Sequence, residues 1–470
     1  MSDVNEPNVI ELADSVRRGE RKAMEVLDEY LVRIEADNER LNAFVHIDAD
    51  LAREAAAAVD EAVARGDDPG LLAGVPFGVK DLERCKGMPT DYGSVPFAGR
   101  GPEAEDDINV ARLKAAGAVA VGKTSTPEFG TLNFTKTKVH GITRNPWDTS
   151  RTPGGSSGGT AAAVAAGIVP FGTASDGGGS IRIPAAFTGL LGHKCSHGRI
   201  PIPGPTGNNT SVRGSLTTTV ADTARILDVL AGPDDRDRFS LPPAGIDYED
   251  SIETTDVRGL RARWSLDLGF ATVDAEVAEI VQAAATRLAD AAGLVVDNEP
   301  VGFTDPVRAW LTTGAITLWL EIEPEMWPSR ADDFTLWTRR SLEQTENQTL
   351  PKYARSIKAR EQLELECARL FRDVDVVLCP TTAVPAFAAE GPPPSVIAGI
   401  DTGNGAMATP FTMLGNLCWN PAVSIPCGQT SEGLPVGLQV IGRRHRDEIP
   451  LRLARIFEQV QPWPRFAPAP

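Results

Sequence analysis

The chain has 470 residues, 42% hydrophobic and 23% charged, which is the composition of a globular protein able to bury a core without metal or disulfide cross-links. Its 46 Lys and Arg against 64 Asp and Glu give a net charge of −18. This charge argues against nucleic acid or an anionic membrane as a partner, because both require a basic surface. Six cysteines without a CxxC pair and five scattered histidines predict neither a zinc cluster nor a disulfide framework.

The first predicted elements are helices. Apolar residues at three- and four-residue spacing predict one helix through Met24 and Ile34, and a second through residues 51–62 that ends at Gly66. Short apolar runs then alternate with helical ones. We predict strands at residues 72–79, 118–121, 374–378, 422–425 and 438–441, and helices at residues 111–116, 161–166 and 451–457. This alternation indicates an α/β fold with buried strands.

Two segments interrupt this alternation. Residues 141–214 are dense in Gly, Ser, Thr and Pro yet contain apolar elements, which favours a site built from backbone groups. Residues 300–353 hold half of the eight tryptophans, which are Trp310, Trp319, Trp327 and Trp337. These tryptophans either pack helices together or form the wall of a substrate funnel, and the sequence leaves both interpretations open.

Three short motifs carry residues suited to acyl-transfer chemistry. They are GVPFGVKD at residues 74–81, PGGSSGG at 153–159 and SDGGGSIR at 175–182. Consecutive backbone N–H groups in a glycine loop can stabilise an oxyanion, and a serine that ends the loop can act as a nucleophile if a base activates it. Lys80 can be that base only when neutral, which requires its pKa to fall by roughly 3 units, or about 4 kcal/mol, through burial.

These motifs resemble those of the amidase signature family, whose catalytic triad is serine, cis-serine and lysine. In that family the first serine of the GGSSGG run follows a cis peptide bond, and the nucleophile lies 24 residues later, which is the spacing from Ser156 to Ser180 here. The resemblance therefore implies that Ser180 is the nucleophile, Ser156 the cis-serine and Lys80 the base.

The same resemblance implies the groups around the triad. Ser157 and Arg182 match supporting positions that brace the triad by hydrogen bonding, and no metal ion or organic cofactor is implied. Residues 194–197 and 414–420 depart from the family pattern, and we expect them, with Arg199, beside the substrate pocket. The oxyanion hole is implied at the backbone N–H groups of Gly177, Gly178, Gly179 and Ser180.

The fold implied by the resemblance is α/β, a single domain with a large mixed sheet between helices. Residues 1–65 are expected to form a helical segment packed on the core, and residues 66–470 the catalytic domain, with a variable substrate funnel around residues 300–355. The implied reaction is hydrolysis of linear C–N amide bonds of small molecules through a serine acyl-enzyme, with esters and carbamates (urethanase activity) as further substrates. A component of a glutamine-dependent transamidation complex stays an alternative.

Two other motifs match expressions of unrelated classes. Residues 117–124 match the P-loop expression letter for letter, but their four middle residues are strand formers, whereas a phosphate cradle follows a strand. Residues 154–158 match the GxSxG nucleophile elbow, but the residues before them predict a loop where that motif requires a strand. Residues 1–7 are polar and no run approaches the roughly 18 apolar residues of a membrane span, so we expect a cytoplasmic protein without membrane contact.

Overall fold

The fold is α/β and is built on one mixed sheet of 11 strands flanked by helices. A computed structural model describes residues 6–204, 209–297 and 299–469, so residues 205–208 of the glycine-rich segment lie outside the described residues. The strands are β1 Phe44–Ile47, β2 Pro76–Lys80, β3 Val119–Thr124, β4 Lys136–Thr137, β5 Gly141–Ile142, β6 Phe171–Asp176, β7 Leu191–Lys194, β8 Val212–Thr217, β9 Arg261–Trp264, β10 Val295–Asp297, β11 Val376–Pro380, β12 Val396–Ile397, β13 Ile400–Asp401, β14 Ala422–Gln429 and β15 Pro435–Gly442.

Helices cover the sheet and fill the connections between its strands. They are α1 Val9–Arg17, α2 Ala23–Leu41, α3 Ala49–Arg65, α4 Ile108–Ala115, α5 Gly158–Ala165, α6 Arg182–Thr188, α7 Val220–Leu230, α8 Tyr248–Thr254, α9 Ala275–Ala292, α10 Val307–Glu321, α11 Leu336–Thr345, α12 Leu350–Asp373, α13 Met413–Leu417 and α14 Glu448–Val460. Among the described residues, no helix combines the length and apolar character needed to cross a bilayer.

The strand order of the large sheet brings the motif-bearing strands side by side. The order is β1-β3-β2-β6-β8-β7-β14-β15-β11-β9-β10. Strands β2 and β6 run parallel, with Phe77 opposite Phe171 and Gly78 opposite Gly172. Their carboxyl ends therefore lie at one edge of the sheet, which is where open α/β sheets hold ligands. Lys80 ends β2, and the glycine loop before Ser180 follows β6 at the same edge.

Most of the predicted elements are confirmed, with differences of a few residues at their boundaries. The strand predicted at residues 72–79 begins only at Pro76, because Gly74 has a φ of +69° and donates its N–H to the carbonyl of Gly117 instead of joining the ladder. Gly66 ends α3 in the left-handed conformation, as predicted. The first 65 residues also supply an edge strand, β1, beside their helices.

The P-loop interpretation is excluded by the course of β3. Lys123 lies inside this strand and is fully buried, where its Nζ donates hydrogen bonds to the Glu83 carbonyl at 2.6 Å and to the Thr90 hydroxyl at 2.8 Å. Asp81 Oδ1 lies 3.7 Å from the same amine. A lysine held in this way inside a sheet is structural and does not face a phosphate.

Candidate active site

Lys80 is the last residue of the buried strand β2, and its side-chain amine lies among hydroxyl groups. It is 0% exposed, and its Nζ lies 2.8 Å from Ser156 Oγ, 2.8 Å from Ser157 Oγ and 2.9 Å from Ser175 Oγ. Among the described residues, no carboxylate forms an ion pair with this amine. The lysine is therefore surrounded by three hydroxyl groups in place of a counter-charge.

This environment changes the protonation of the amine. Burial lowers the pKa of Lys80 from 10.5 to about 7, since the charged form loses its hydration and gains no adjacent carboxylate. Glu83 raises the pKa and Arg213 lowers it, with smaller effects than burial. An amine with a pKa near neutrality can accept a proton from a neighbouring hydroxyl, as a general base must.

The serine-rich loop that precedes α5 brings its two serines to this amine. The Gly155–Ser156 peptide is cis, as the resemblance implies. Ser157 is the residue before the first turn of α5, and its hydroxyl also donates to the Ser175 carbonyl at 3.4 Å. The residues before Ser156 form a loop and not a strand, so the nucleophile-elbow interpretation of GxSxG is wrong.

Ser180 lies between β6 and α6 and lines the same cavity as Ser156. Its carbonyl accepts a hydrogen bond from the Ser157 N–H at 3.3 Å, which joins the two serine-bearing loops. Within the described residues, no hydrogen bond joins the hydroxyls of Ser156 and Ser180. The structure thus forms the Lys80–Ser156 contact of the predicted relay, while the Ser156–Ser180 contact is open; catalytic hydrogen bonds often tighten only around bound substrate.

The glycine loop before Ser180 offers fewer free donors than the four predicted from the sequence. The N–H of Gly179 donates to Asp176 Oδ1 at 2.7 Å, so it is occupied within the loop, and its contribution to an oxyanion hole stays a prediction. The backbone N–H groups of Gly177, Gly178 and Ser180 have no acceptor among the described residues. These three donors are available to a bound oxygen atom.

Arg182 stabilises the glycine loop through an ion pair with Asp176. Among the described residues, it forms no hydrogen bond with Ser156, Ser157 or Ser180. Its Nε and Nη2 each lie 2.9 Å from an Asp176 carboxylate oxygen, in a pair whose members are both 0% exposed. Burial raises the pKa of Asp176, but Arg182 and further hydrogen bonds outweigh it and hold the pKa at about 2. Gln439 and Asn416 accept the other hydrogen bonds of Arg182, at 2.7 and 2.6 Å. Arg182 therefore braces the glycine loop and does not brace the serine side chains directly.

Replacing Asp176 by asparagine tests this assignment. The Asp176→Asn variant leaves the Arg182 charge buried without a counter-ion, so we expect its free energy of unfolding in urea to fall by about 3–5 kcal/mol. Asp332, which is 99% exposed and pairs with Arg339 at 3.2 Å, provides a matched control. Asp332→Asn should change the free energy by less than about 1 kcal/mol. Equal losses in the two variants would contradict a stabilising role for the buried pair.

The serines open into a cavity of about 310 Å³. Part of its wall is aromatic, formed by Tyr92, Phe129 and Trp310, and two charged residues, Arg213 and Glu321, also line it. Aliphatic residues from separate segments complete the apolar part of the wall: Leu82, Ile202, Leu311 and Leu318. An elongated ligand with an apolar or aromatic group fits such a lining.

The tryptophan segment contributes to this wall through α10 and α11, but unequally. Trp310 lines the cavity, whereas Trp319 and Trp327 pack edge to face with ring centroids 6.4 Å apart. Trp337 packs against Phe134. The segment therefore contains one tryptophan in the cavity wall and three that pack against other aromatic side chains.

The three segments expected beside the substrate pocket differ in how they relate to the cavity. Arg199 is buried, with its Nε 3.4 Å from Asp447 Oδ2, and is not among the described residues that line the cavity. Residues 194–197 and 414–420 are also not among the described residues that line the cavity, but the second segment lies beside it, since Asn416 Nδ2 donates to the carbonyl of the lining residue Thr210 at 3.1 Å. Asn416, in the second of these segments, acts on the site indirectly, because its Nδ2 donates to Asp176 Oδ1 at 2.9 Å.

Sequence reasoning also missed a group that contacts the lysine. Ser175 lies in β6 two residues after Thr173, and both hydroxyls face Lys80: Thr173 Oγ1 accepts the Lys80 N–H at 2.9 Å, and Ser175 Oγ contacts Nζ. The two-residue period of a strand was the available signal, since it places residues 173 and 175 on one face.

The sequence and the fold of this chain are similar to those of several known proteins. Residues 25–451 match the family described as Amidase. An acylamidase of Rhodococcus erythropolis is 34% identical over 461 residues, covering 98% of this chain and 96% of the relative. One subunit of the glutamyl-tRNA(Gln) amidotransferase of Synechococcus sp. (strain RCC307) is 33% identical, covering 95% and 96%. The crystal structure of a bacterial aryl acylamidase of the amidase signature enzymes matches with a TM-score of 0.92 and 28% identity, over 98% of this chain and 99% of that one.

Proposed function

The chain belongs to the amidase signature family of amidohydrolases, and from that premise we propose that it hydrolyses linear amides of small molecules through an acyl-enzyme on Ser180. The observation that carries this proposal is the fully buried amine of Lys80, with a pKa lowered to about 7, 2.8 Å from Ser156 Oγ. Ser156 and Ser180 line one cavity beside free backbone donors.

In the proposed reaction, neutral Lys80 accepts a proton from Ser156, and Ser156 accepts one from Ser180. The Ser180 Oγ then forms a bond to the amide carbonyl carbon, and the negative charge on the carbonyl oxygen is stabilised by the N–H groups of Gly177, Gly178 and Ser180. When the C–N bond breaks, the relay returns its proton to the nitrogen, so the amine leaves neutral. A water molecule then attacks the acyl-enzyme by the same route.

The hydrogen-bonding capacity of Lys80 supports this direction of transfer. A neutral primary amine has two N–H donors and one lone pair. Ser157 donates its hydroxyl hydrogen to the Ser175 carbonyl and accepts the Ser175 N–H, both at 3.4 Å, so its oxygen has one lone pair left to accept from Lys80. Ser175 can accept the second donor, which leaves the lone pair for the Ser156 hydroxyl. The three surrounding hydroxyls can therefore satisfy both donors and the lone pair of the neutral amine.

The cavity lining supports an apolar or aromatic substituent on the substrate. Tyr92, Phe129 and Trp310 offer flat apolar faces near the serines. Aryl esters and carbamates present the same carbonyl geometry, so we include both, and with them urethanase activity, in the proposed substrate range. The alternative, a component of a transamidation complex, rests on the 33% identity to the amidotransferase chain of Synechococcus.

A hydrolysis panel with the purified chain alone tests the proposal. We expect turnover of 4-nitroacetanilide on the order of 1–10³ s⁻¹ at saturation, the usual range for enzymes. 4-Nitrophenyl acetate and a phenyl carbamate extend the panel to esters and carbamates, and glutamine tests the alternative. Absence of amide hydrolysis by the chain alone, with glutamine hydrolysis only in the presence of an added partner, would contradict the proposal and support the transamidation role.

A further inference from the structure

Two carbonyl groups of the glycine loop are held by side chains from distant parts of the chain. The indole Nε1 of Trp310, on α10, donates to the Gly177 carbonyl at 2.8 Å. The hydroxyl of Thr412, on a short helical turn before α13, donates to the Gly178 carbonyl at 2.6 Å. The loop that carries the proposed oxyanion donors is thus fixed from outside on two consecutive peptides.

The contact of Trp310 determines where one N–H points. The Gly177 carbonyl and the Gly178 N–H belong to the same planar trans peptide, so they point in opposite directions. An indole that fixes the carbonyl therefore fixes the N–H on the other side. The indole also lies directly against Gly178, because a Cβ there would come within 2.5 Å of Trp310 Cε2. No other residue type fits this position without displacing the ring.

The two consecutive peptides differ in what their N–H groups do. In the Gly178–Gly179 peptide both ends are occupied, the carbonyl by Thr412 and the N–H by Asp176. In the Gly177–Gly178 peptide only the carbonyl is occupied, and within the described residues the Gly178 N–H has no acceptor. Gly178 lines the cavity that holds Ser156 and Ser180.

We propose that Trp310 is a positioning residue for the oxyanion hole, whose indole N–H orients the Gly177–Gly178 peptide so that the Gly178 N–H faces the substrate oxygen. The proposal rests on the acyl-enzyme function proposed above. Glycine peptides rotate with little steric hindrance, so without the indole this peptide can turn its carbonyl toward the oxyanion. That rotation replaces an attractive donor by a repulsive acceptor, and the penalty falls on the transition state more than on the bound substrate.

The Trp310→Phe variant tests the proposal, since it keeps an aromatic ring against Gly178 and removes only the N–H and part of the ring. Loss of one oxyanion donor costs about 10²–10³ in kcat. Because Gly177 and Ser180 still donate, we expect kcat for an aryl amide to fall about 10–100-fold. KM should change by a smaller factor, which reflects the loss of part of the cavity wall. The Ki of phenylboronic acid, which forms a tetrahedral adduct on a serine, should rise by the same factor as kcat falls.

Trp319→Phe is a matched control on the same helix. Its indole also donates one hydrogen bond, to Thr345 Oγ1 at 2.8 Å, but it is not among the described residues that line the cavity. We expect kcat and the boronic acid Ki of this variant to stay near those of the unchanged protein, and thermal unfolding to show both variants folded.

Three results would overturn the positioning role. They are an unchanged kcat in Trp310→Phe, a loss confined to KM, which indicates a binding wall only, and equal losses in the two variants, which indicate a general effect on α10. A Ser180→Ala variant measured in parallel separates the two proposals. If that variant keeps its activity, the acyl-enzyme itself is refuted; if it is inactive while Trp310→Phe is not impaired, only the positioning role is refuted.

Discussion

The Ser180→Ala variant should lose hydrolysis of aryl amides by roughly 10⁴-fold or more, because removal of a serine nucleophile abolishes the covalent route and leaves only binding and electrostatic effects. The same variant should no longer react with a fluorophosphonate probe, which labels an activated serine. Intact-protein mass spectrometry measures both the labelling and its stoichiometry. In the unchanged protein we expect one adduct, on the peptide that contains residue 180.

The control for this experiment removes a hydroxyl elsewhere. Ser329 is an exposed serine whose hydroxyl donates to the Glu325 carbonyl at 2.6 Å, and it is not among the described residues of the cavity wall. Ser329→Ala should keep its kcat and its labelling. Labelling that persists in Ser180→Ala would assign the nucleophile to another residue and would refute the acyl-enzyme proposed here.

The Lys80→Met variant should have the second largest effect, a fall in kcat of about 10²–10⁴-fold, which is the usual contribution of a general base. Methionine has a similar length and no charge to desolvate, so the buried position accepts it without an unpaired ion, and thermal unfolding should show a folded protein. Steady-state kinetics on the aryl amide gives the effect. The KM should change little, since the lysine contacts hydroxyl groups of the protein and does not line the cavity.

A second buried lysine provides the control for this substitution. Lys194 ends β7, is 0% exposed, and donates to the Cys195 carbonyl at 2.7 Å. Lys194→Met removes an equally buried amine that contacts none of the proposed catalytic serines. We expect its kcat within about threefold of the unchanged protein. A comparable loss in both variants would show that removal of any buried amine disturbs the protein, and would remove the support for Lys80 as the base.

Local sequence patterns predict most of the helices and strands, and they also predict the burial of a residue from its neighbours in the same motif. The helix through Met24 and Ile34 follows from its apolar spacing, and the burial of Lys80 from its apolar neighbours in the motif. The assignment of Ser156 and Ser180 to one proton relay comes from the resemblance and its 24-residue spacing, and it stays a prediction. These features depend on residues close together in the chain or on a fixed distance between two motifs.

The contacts that shape the glycine loop were beyond these patterns. Trp310 and Gly177 are separated by 133 positions, and Thr412 and Gly178 by 234. No periodicity or spacing rule links residues so far apart, because their contact depends on how α10 and the α13 region pack. The occupied N–H of Gly179 is beyond these patterns for a different reason, because which N–H the Asp176 carboxylate accepts depends on the dihedral angles of the loop.

The division of the chain at residue 65 and the variable character of the funnel around residues 300–355 stay predictions. The structure does give the funnel a physical basis. A separate apolar cluster that includes Phe97, Leu318 and Phe334 packs α10 and α11 at the cavity, apart from the cores that support the sheet. Substitutions in this cluster can reshape the wall without altering the strands that hold Lys80 and the glycine loop.

The central claim is that Ser180 is activated through a neutral Lys80, and the pH dependence of Ser180 acylation tests it most directly. With a pKa of about 7, Lys80 is charged below that pH and neutral above it. The rate of fluorophosphonate labelling should therefore rise by about tenfold per pH unit below pH 7 and level off above it, as for a single basic group. In Lys80→Met this step should disappear. An unchanged step in that variant, or a rate in the unchanged protein that is independent of pH between about 5 and 9, would contradict the account.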